Sequence, residues 1–377
     1  MENHLSKTDQ EVFYGLKVAN KRLLTKNSFS VDLVISEELK EQFRYQSGQY
    51  VGIKFRHNNE WIERDYSITS APHEAVFSFA VKMTSKEGTA HSLFEFLDKN
   101  DYLDVSRPKG RFTIEDHPHE FRTIVGFAGG IGITPIFSHF KHILHTEKRT
   151  RLYLFYVNQT KEDIVFYKEL EELQKLYYPR LEVHYFLTQE DPGDSFYKGR
   201  LNEQKLKLII NQILHLDDTD EESTIWDAVD EVLICGKGEM IKSLARACHE
   251  NGIPKKNIHF ELFEEFEDDI YENEQEIEYV SNIEVEFKVD GKRYETVLPD
   301  NKIKLLQALL EQKYNIPYSC KSGICGSCQC KVLEGNVQLL ENEYLTESEI
   351  EAGYVLACMA YATSSHLKLD FDYFETN

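Results

Sequence analysis

The sequence predicts a multidomain chain: an antiparallel β-barrel, an α/β domain built on a parallel sheet, and a small α+β domain of β-grasp-like type. Three observations predict it. From Val12 to about Ile114 short alternating apolar segments (FYGLKVAN, FSVDLVI, QYVGIKF, RDYSIT, VFSFAVKM, YLDVS) are separated by turn-formers, the pattern of an antiparallel barrel or sandwich. One helix is inserted there, at about HSLFEFLDK. From Arg122 the pattern becomes apolar strand, then helix: RTIVGFAGG with ITPIFSHFKHIL, RLYLFYV with DIVFYKELEELQKL, and EVLICGKGE with MIKSLARACHENG. Strands alternating with helices give a parallel sheet. Further on, IEVEFKVDG and KRYETVLP form a hairpin and KLLQALLEQKY a helix, followed by a cysteine loop and short strands. The expected domains are 10–117, 118–263 and 283–377, joined by an acidic linker over 264–282.

That linker holds nine acids and no base, so self-repulsion predicts an extended, solvated segment, with a docking strip for a basic partner as the other reading. The whole chain of 377 residues carries a formal charge of -22, which argues against nucleic acid, since phosphate contacts need clustered Lys and Arg. No run approaches the roughly 18 apolar residues of a membrane span. The opening MENHLSKTDQ lacks a secretory apolar stretch, and seven cysteines, most of them grouped near one end, fit a reducing compartment. Cytoplasmic localisation with no membrane attachment is expected.

The cysteines carry the strongest signal. Cys320, Cys325 and Cys328, followed by Cys358, reproduce the C-x4-C-x2-C…C arrangement of plant-type 2Fe–2S centres. Zinc is the competing metal, but structural zinc usually takes two close ligand pairs rather than a triplet and a distant single. Gly323 and Gly326 allow the loop to wrap closely, so that backbone N–H groups can point at sulfur and tune the potential. Cys330, two positions past a ligand, reads as a buried core thiol.

Such a centre moves one electron, and three further motifs address where electrons enter. In WIERDYSITSAP, Arg64 offers a guanidinium to a pyrophosphate, Tyr66 a ring to stack on a planar cofactor, and Ser67 a hydroxyl beside it. GFAGGIGITP follows an apolar strand and opens a helix, and CGKGEM does the same. Two glycine turns at the carboxyl ends of strands in one α/β unit face one crevice, where a dinucleotide meets a positive helix end.

In order, Arg64-Asp65-Tyr66-Ser67, Pro108-x-Gly110-x-Phe112, Gly129 to Pro135 and Cys235-Gly236…Met240 resemble the ferredoxin–NADP reductase family, with a C-terminal plant-type ferredoxin domain behind them. The chain is thus similar to reductase components of bacterial oxygenases. FYGLKVANKRL, LKEQFRYQSGQYVGIKF, CQCKVLEG and AGYVLACMA are similar to the reductase subunits of phenylacetyl-CoA ring-epoxidising oxygenases. The resemblance implies FAD in the barrel, held by Arg64 at the pyrophosphate, Tyr66 on the isoalloxazine and Ser67 near flavin N5. It implies NADH or NADPH in the α/β domain, received by Gly129, Gly130, Gly132 and Thr134, with Cys235, Gly236 and Met240 close to the nicotinamide and Glu261 and Phe263 near the flavin. Thr89 or Ser92 in KEGTAHS would meet the FAD phosphates, with His91 a polar helix-start residue. Where many relatives place Asn-Arg for the 2′-phosphate of NADPH this chain has Asn158-Gln159, which leans towards NADH; Lys161 or Arg200 could substitute.

The expected activity is hydride transfer from nicotinamide C4 to flavin N5, which needs those atoms about 3–3.5 Å apart. Single electrons then pass to a cluster near about -400 mV and on to a partner protein. No general acid or base is required; Ser67 and Cys235 lie nearest the transfer. The favoured acceptor is a terminal oxygenase, the phenylacetyl-CoA epoxidase of phenylacetate degradation. Alternatives are a steroid or aromatic hydroxylase, an acyl desaturase or a hybrid-cluster protein, and, in another class, a non-enzymatic iron–sulfur redox sensor.

Overall fold

The computed structural model describes residues 12–58, 60–98, 101–213, 229–264, 266, 270–271, 277–318, 321, 323, 326–340, 342 and 344–372. The chain divides into two compact units, Glu11–Phe266 and one holding Glu267–Asn377.

The first unit begins with β1 (Phe13–Thr25), β2 (Ser28–Val34), β3 (Tyr50–His57), β4 (Glu60–Ser67), β5 (Phe77–Lys82), α1 (Thr89–Leu97) and β6 (Tyr102–Ser106). These strands form one antiparallel sheet in the order β4-β3-β6-β1-β2-β5. A bridge between Ile68 and Phe79 brings the end of β4 onto β5 and closes the sheet on itself. Period-2 alternation sets its inner face: Phe29, Val31 and Leu33, Val51, Ile53 and Phe55, and Phe77, Phe79 and Val81 all turn into one core. Each such side chain contributes about 1.5–3 kcal/mol when fully buried.

The same unit continues with β7 (Thr123–Gly129), α2 (Ile133–Thr146), β8 (Arg151–Asn158), α3 (Tyr167–Tyr177), β9 (Leu181–Leu187), α4 (Glu203–Gln212), β10 (Glu231–Gly236), α5 (Gly238–Glu250) and β11 (Ile258–Leu262). The strands make a parallel sheet in the order β11-β10-β7-β8-β9. The strand order reverses between β7 and β10, and at such a switch point α/β proteins hold their ligands. β9 and α4 are elements that the segment-by-segment reading does not anticipate.

Helix α2 is buried on nearly every side, more than an amphipathic surface helix would be, because the barrel covers the face turned away from the sheet. Ser138 Oγ donates to Ser70 O at 2.6 Å, Ser47 Oγ donates to Ser138 O at 3.2 Å, and His139 Nε2 lies 2.7 Å from Phe112 O. Burial pushes the His139 imidazole down to about 3. It is therefore neutral, and its Nε2–H donates to the carbonyl. Gly48 has φ +88, and a Cβ there would stand 1.8 Å from Phe112 O, so this seam admits only glycine.

The second unit contains β12 (Ser281–Val289), β13 (Lys292–Asp300), α6 (Leu305–Glu311), β14 (Gln329–Glu334), β15 (Val337–Leu339), α7 (Glu347–Glu351), β16 (Tyr354–Leu356), β17 (Ala360–Ala362) and β18 (His366–Asp370). The main sheet runs β13-β12-β18-β14-β16, and β15 pairs with β17. Asp290 and Gly291 turn the first hairpin with φ of +51 and +72, as an Asp-Gly pair does in a type I′ turn. Leu305, Leu306 and Leu309 of α6 pack with Ile283, Val285, Phe287, Leu367 and Leu369. Much of the acidic stretch 264–282 lies outside the described residues, but Ile270 and Tyr271 are buried and Ser281 and Asn282 belong to β12. The stretch is thus not uniformly solvated: Ile270 and Tyr271 find cover despite the charge around them, whereas Tyr279 is exposed.

Candidate functional site

The last residue of β4 meets the final strands of the parallel sheet, β10 and β11. Arg64 and Tyr66 share a face of β4, and Ser67 takes the other. Tyr66 stacks on Phe79 with centroids 5.5 Å apart and planes at 22°, so one ring face is fixed by the barrel core. Burial raises its phenol to about 12, so it stays protonated. Arg64 is exposed and donates from Nη1 to Glu63 O at 2.7 Å. Ser67 is buried and donates from Oγ to Glu261 Oε2 at 3.2 Å, across the seam to β11.

Glu261 sits directly opposite Cys235 in the parallel register of β10 and β11. Desolvation raises the Glu261 carboxyl to about 8, the Ser67 hydrogen bond opposing and the Asp65 charge adding to the rise. The buried Cys235 thiol is pushed well up, by burial first and by Glu261 second. Ser67, Cys235 and Glu261, far apart in the chain, thus form one group: a hydroxyl, a neutral thiol and a carboxyl that still holds its proton near neutral pH.

The two glycine turns lie side by side at the switch point. A Cβ on Gly132 would fall 2.3 Å from Cys235 O, and one on Gly236 would fall 2.6 Å from Met240 Cε and 3.3 Å from Gly129 Cα. Gly130 takes φ +54, and Tyr156 Oη donates to its carbonyl at 2.8 Å, pinning the turn from beneath. Thr134 is buried and its hydroxyl donates to Ile131 O at 2.9 Å, so its proton serves the turn itself. The first turn of α2, from Ile133, presents backbone N–H groups beside this glycine cradle, the arrangement that suits a diphosphate.

Helix α1 starts after Gly88 with no side-chain cap. Ser92 Oγ is 2.8 Å from His57 Nδ1, whereas among the described residues the Thr89 hydroxyl has no protein partner, which favours Thr89 for a phosphate. His91 lies 3.6 Å from Glu95.

In the second unit Cys328 and Cys358 are buried, and the Cys358 N–H donates to Cys328 Sγ at 3.4 Å. Gly323 and Gly326 have φ of +76 and +65. Buried thiols with an N–H aimed at sulfur fit an anionic iron–sulfur cluster. Cys320 and Cys325 lie outside the described residues. Cys330 is buried in the core and its thiol is raised by burial, the condition of an inert packing residue.

Several participants escape motif reading. Lys82, the last residue of β5, places Nζ 3.7 Å from where a Gly130 Cβ would stand. Phe266 covers Gly238 so closely that a Cβ there would meet its ring at 2.1 Å. Tyr156 belongs with them. Their signal is tertiary, although Phe266 does stand out as an aromatic inside the acidic run. Phe263 is half exposed.

Comparison with known proteins agrees with this architecture. Residues 16–114 match the oxidoreductase FAD-binding domain, 127–246 the oxidoreductase NAD-binding domain, and 287–363 the 2Fe-2S iron-sulfur cluster binding domain. The chain is 28% identical over 361 residues to a component of the 1,2-phenylacetyl-CoA epoxidase of Escherichia coli, covering 96% of this chain and 98% of that one. It is 28% identical over 357 residues to the ferredoxin reductase component of 3-ketosteroid-9-alpha-monooxygenase from Rhodococcus rhodochrous, covering 92% and 93%. In fold it is similar to phthalate dioxygenase reductase, with a TM-score of 0.51, 22% identity and 95% and 98% coverage.

Proposed function

The chain belongs to the ferredoxin–NADP reductase family with a C-terminal plant-type ferredoxin domain and is an NAD(P)H oxidoreductase that uses FAD and a 2Fe–2S cluster, and from that premise we propose that it delivers electrons to a terminal oxygenase. Phenylacetyl-CoA epoxidase is the favoured acceptor, and a ketosteroid monooxygenase is the second reading, because the relatives of both kinds match at equal identity over nearly the whole chain. The observation that carries the proposal is the joining of the three cofactor domains in one chain at full-length correspondence with oxygenase reductases.

When bound, the flavin takes up two electrons together and the cluster passes them on singly. The residues of this chain supply position and charge. Arg64 can pair bidentately with a diphosphate, aided by Thr89 and the free N–H groups at the start of α1. Tyr66, held by Phe79, offers its other face to a planar ring. The Gly129–Gly132 turn lets a dinucleotide approach the backbone, with Lys82 as a cation beside it. Met240 lies against Gly129 and Gly236 and so shapes the floor of the crevice. Ser67 and Cys235 contribute neutral donors, and Glu261 holds a proton at its carboxyl below about pH 8.

Anaerobic titration of the purified holoprotein with NADH or NADPH tests the reductase reading: flavin bands and their bleaching are expected, and their absence sinks it. Mixing the reduced protein with each candidate oxygenase and its substrate then decides the acceptor, by which product forms.

A further inference from the structure

The mouth of the coenzyme crevice beyond β8 is built from acceptors. Past Asn158 the β8–β9 pairing continues, with Gln189 N–H donating to Gln159 O at 2.9 Å. The next residue, Glu190, receives the Lys161 N–H at Oε2, 2.7 Å away. This bond fixes a carboxylate at the carboxyl end of the strand that neighbours the glycine-turn strand β7. In dinucleotide folds that place faces the adenosine ribose, where a carboxylate binds the 2′-hydroxyl and a cation accommodates a 2′-phosphate.

We infer that Glu190 sets the coenzyme as NADH, by accepting a ribose hydroxyl and repelling a 2′-phosphate; the inference rests on reading the α/β domain as the coenzyme's. A carboxylate offers about four acceptor positions, and the Lys161 N–H occupies one. The cations nearby are differently placed. Lys161 carries its ammonium 5.1 Å from the centroid of the Tyr167 ring. Lys198 and Arg200 are exposed on the segment after β9, alongside Asp191 and Asp194. Asp163 accepts from the Thr160 hydroxyl at 2.7 Å and lies 3.7 Å from Lys26. Over 159–163 and 189–200 five acids face three bases, so the local field disfavours an extra phosphate even before the fixed position of Glu190 is counted.

The test pairs binding with turnover on the full-length holoprotein. Calorimetric titration with ADP and with 2′,5′-ADP should show tighter binding of ADP. Glu190→Gln and Glu190→Ala should narrow that gap about tenfold, the size of one hydrogen bond to a charged group. In steady state with ferricyanide, wild type should prefer NADH, and the variants should lose the preference chiefly through a lower KM for NADPH. Preference of the wild type for NADPH, or an ADP to 2′,5′-ADP ratio that neither variant moves, overturns the assignment. Bleaching of the flavin by neither coenzyme overturns the reductase reading and the assignment with it. Glu190 is exposed, so unchanged melting of both variants is expected, and a fall in KM for NADPH is not something a misfolded variant produces.

Discussion

Ser67 Oγ donates a 3.2 Å hydrogen bond to Glu261 Oε2, tying the last residue of a barrel strand to the final strand of the parallel sheet. The bond favours the carboxylate, but desolvation wins and the carboxyl rises to about 8. A carboxyl whose folded value lies above its unfolded value binds more protons folded than unfolded in that window. Stability conferred by the neutral form is therefore present at low pH and declines as pH rises from the ordinary carboxylate range to about 8. Glu261→Gln should flatten that decline: its melting temperature should equal wild type near pH 4.5 and exceed it at pH 8. Equal slopes for the two proteins would refute the shift.

Gly132 predicts a graded steric outcome. In Gly132→Ala the new methyl meets Cys235 O at 2.3 Å and Cys235 C at 2.6 Å, both backbone atoms that cannot swing aside. Overpacking of this kind costs about 1–3 kcal/mol, or several degrees of melting temperature in a domain of this size. Gly236→Ala instead meets the flexible end of Met240 at 2.6 Å. Its loss should be smaller, and Gly236→Ala combined with Met240→Ala should recover part of it, whereas Met240→Ala should do nothing for Gly132→Ala.

Motif reading reaches the strand ends because the chemistry there is local: Arg64, Tyr66 and Ser67 share one strand, and each glycine turn follows its own strand directly. It also reaches the barrel, since alternation such as Val51, Ile53 and Phe55 is a direct image of an inward face. What it misses depends on contacts between distant segments. Lys82 ends an unremarkable strand and acquires meaning only when Gly130 arrives beside it. Strand β9 escapes because LEVHYFL places His184 and Tyr185 among its apolar residues; His184 is covered by stacking on Phe155 at 5.2 Å. The burial of α2 along most of its length is likewise invisible, since Ser138 and His139 look like part of a polar side until Ser70 and Phe112 arrive to cover them.

The Arg122–Glu147 pair should behave as a buried ion pair. Both side chains are almost fully enclosed; Arg122 Nε donates to Glu147 Oε2 at 3.0 Å, and the His117 N–H donates to Oε1 at 3.0 Å. Burial works against the ionised Glu147, but the bonds from Arg122, His117 and Thr150 together hold its carboxyl below the usual range. Its contribution is thus complete above the ordinary carboxylate range and lost as pH falls through the depressed value. Glu147→Gln leaves a buried guanidinium without its counter-charge and should cost about 3–5 kcal/mol by denaturant titration. Arg122→Met with Glu147→Leu should cost much less; a double variant as unstable as the single one would contradict the desolvation argument.

Two cysteines two positions apart should separate cleanly in function. Cys328 receives the Cys358 N–H at Sγ, whereas Cys330 pairs in register with Val355 and is enclosed by the core, its thiol raised by burial. Cys328→Ser should therefore yield protein that keeps its flavin but lacks the low-temperature paramagnetic signal of a reduced 2Fe–2S centre, if Cys328 is one of its ligands as the cysteine spacing proposes. Cys330→Ala should retain that signal at full intensity and lose only about 1 kcal/mol of stability, the scale of a small buried deletion. Loss of the signal in Cys330→Ala, with melting otherwise preserved, would move Cys330 from the core into the ligand set and displace one of the four cysteines assigned to it.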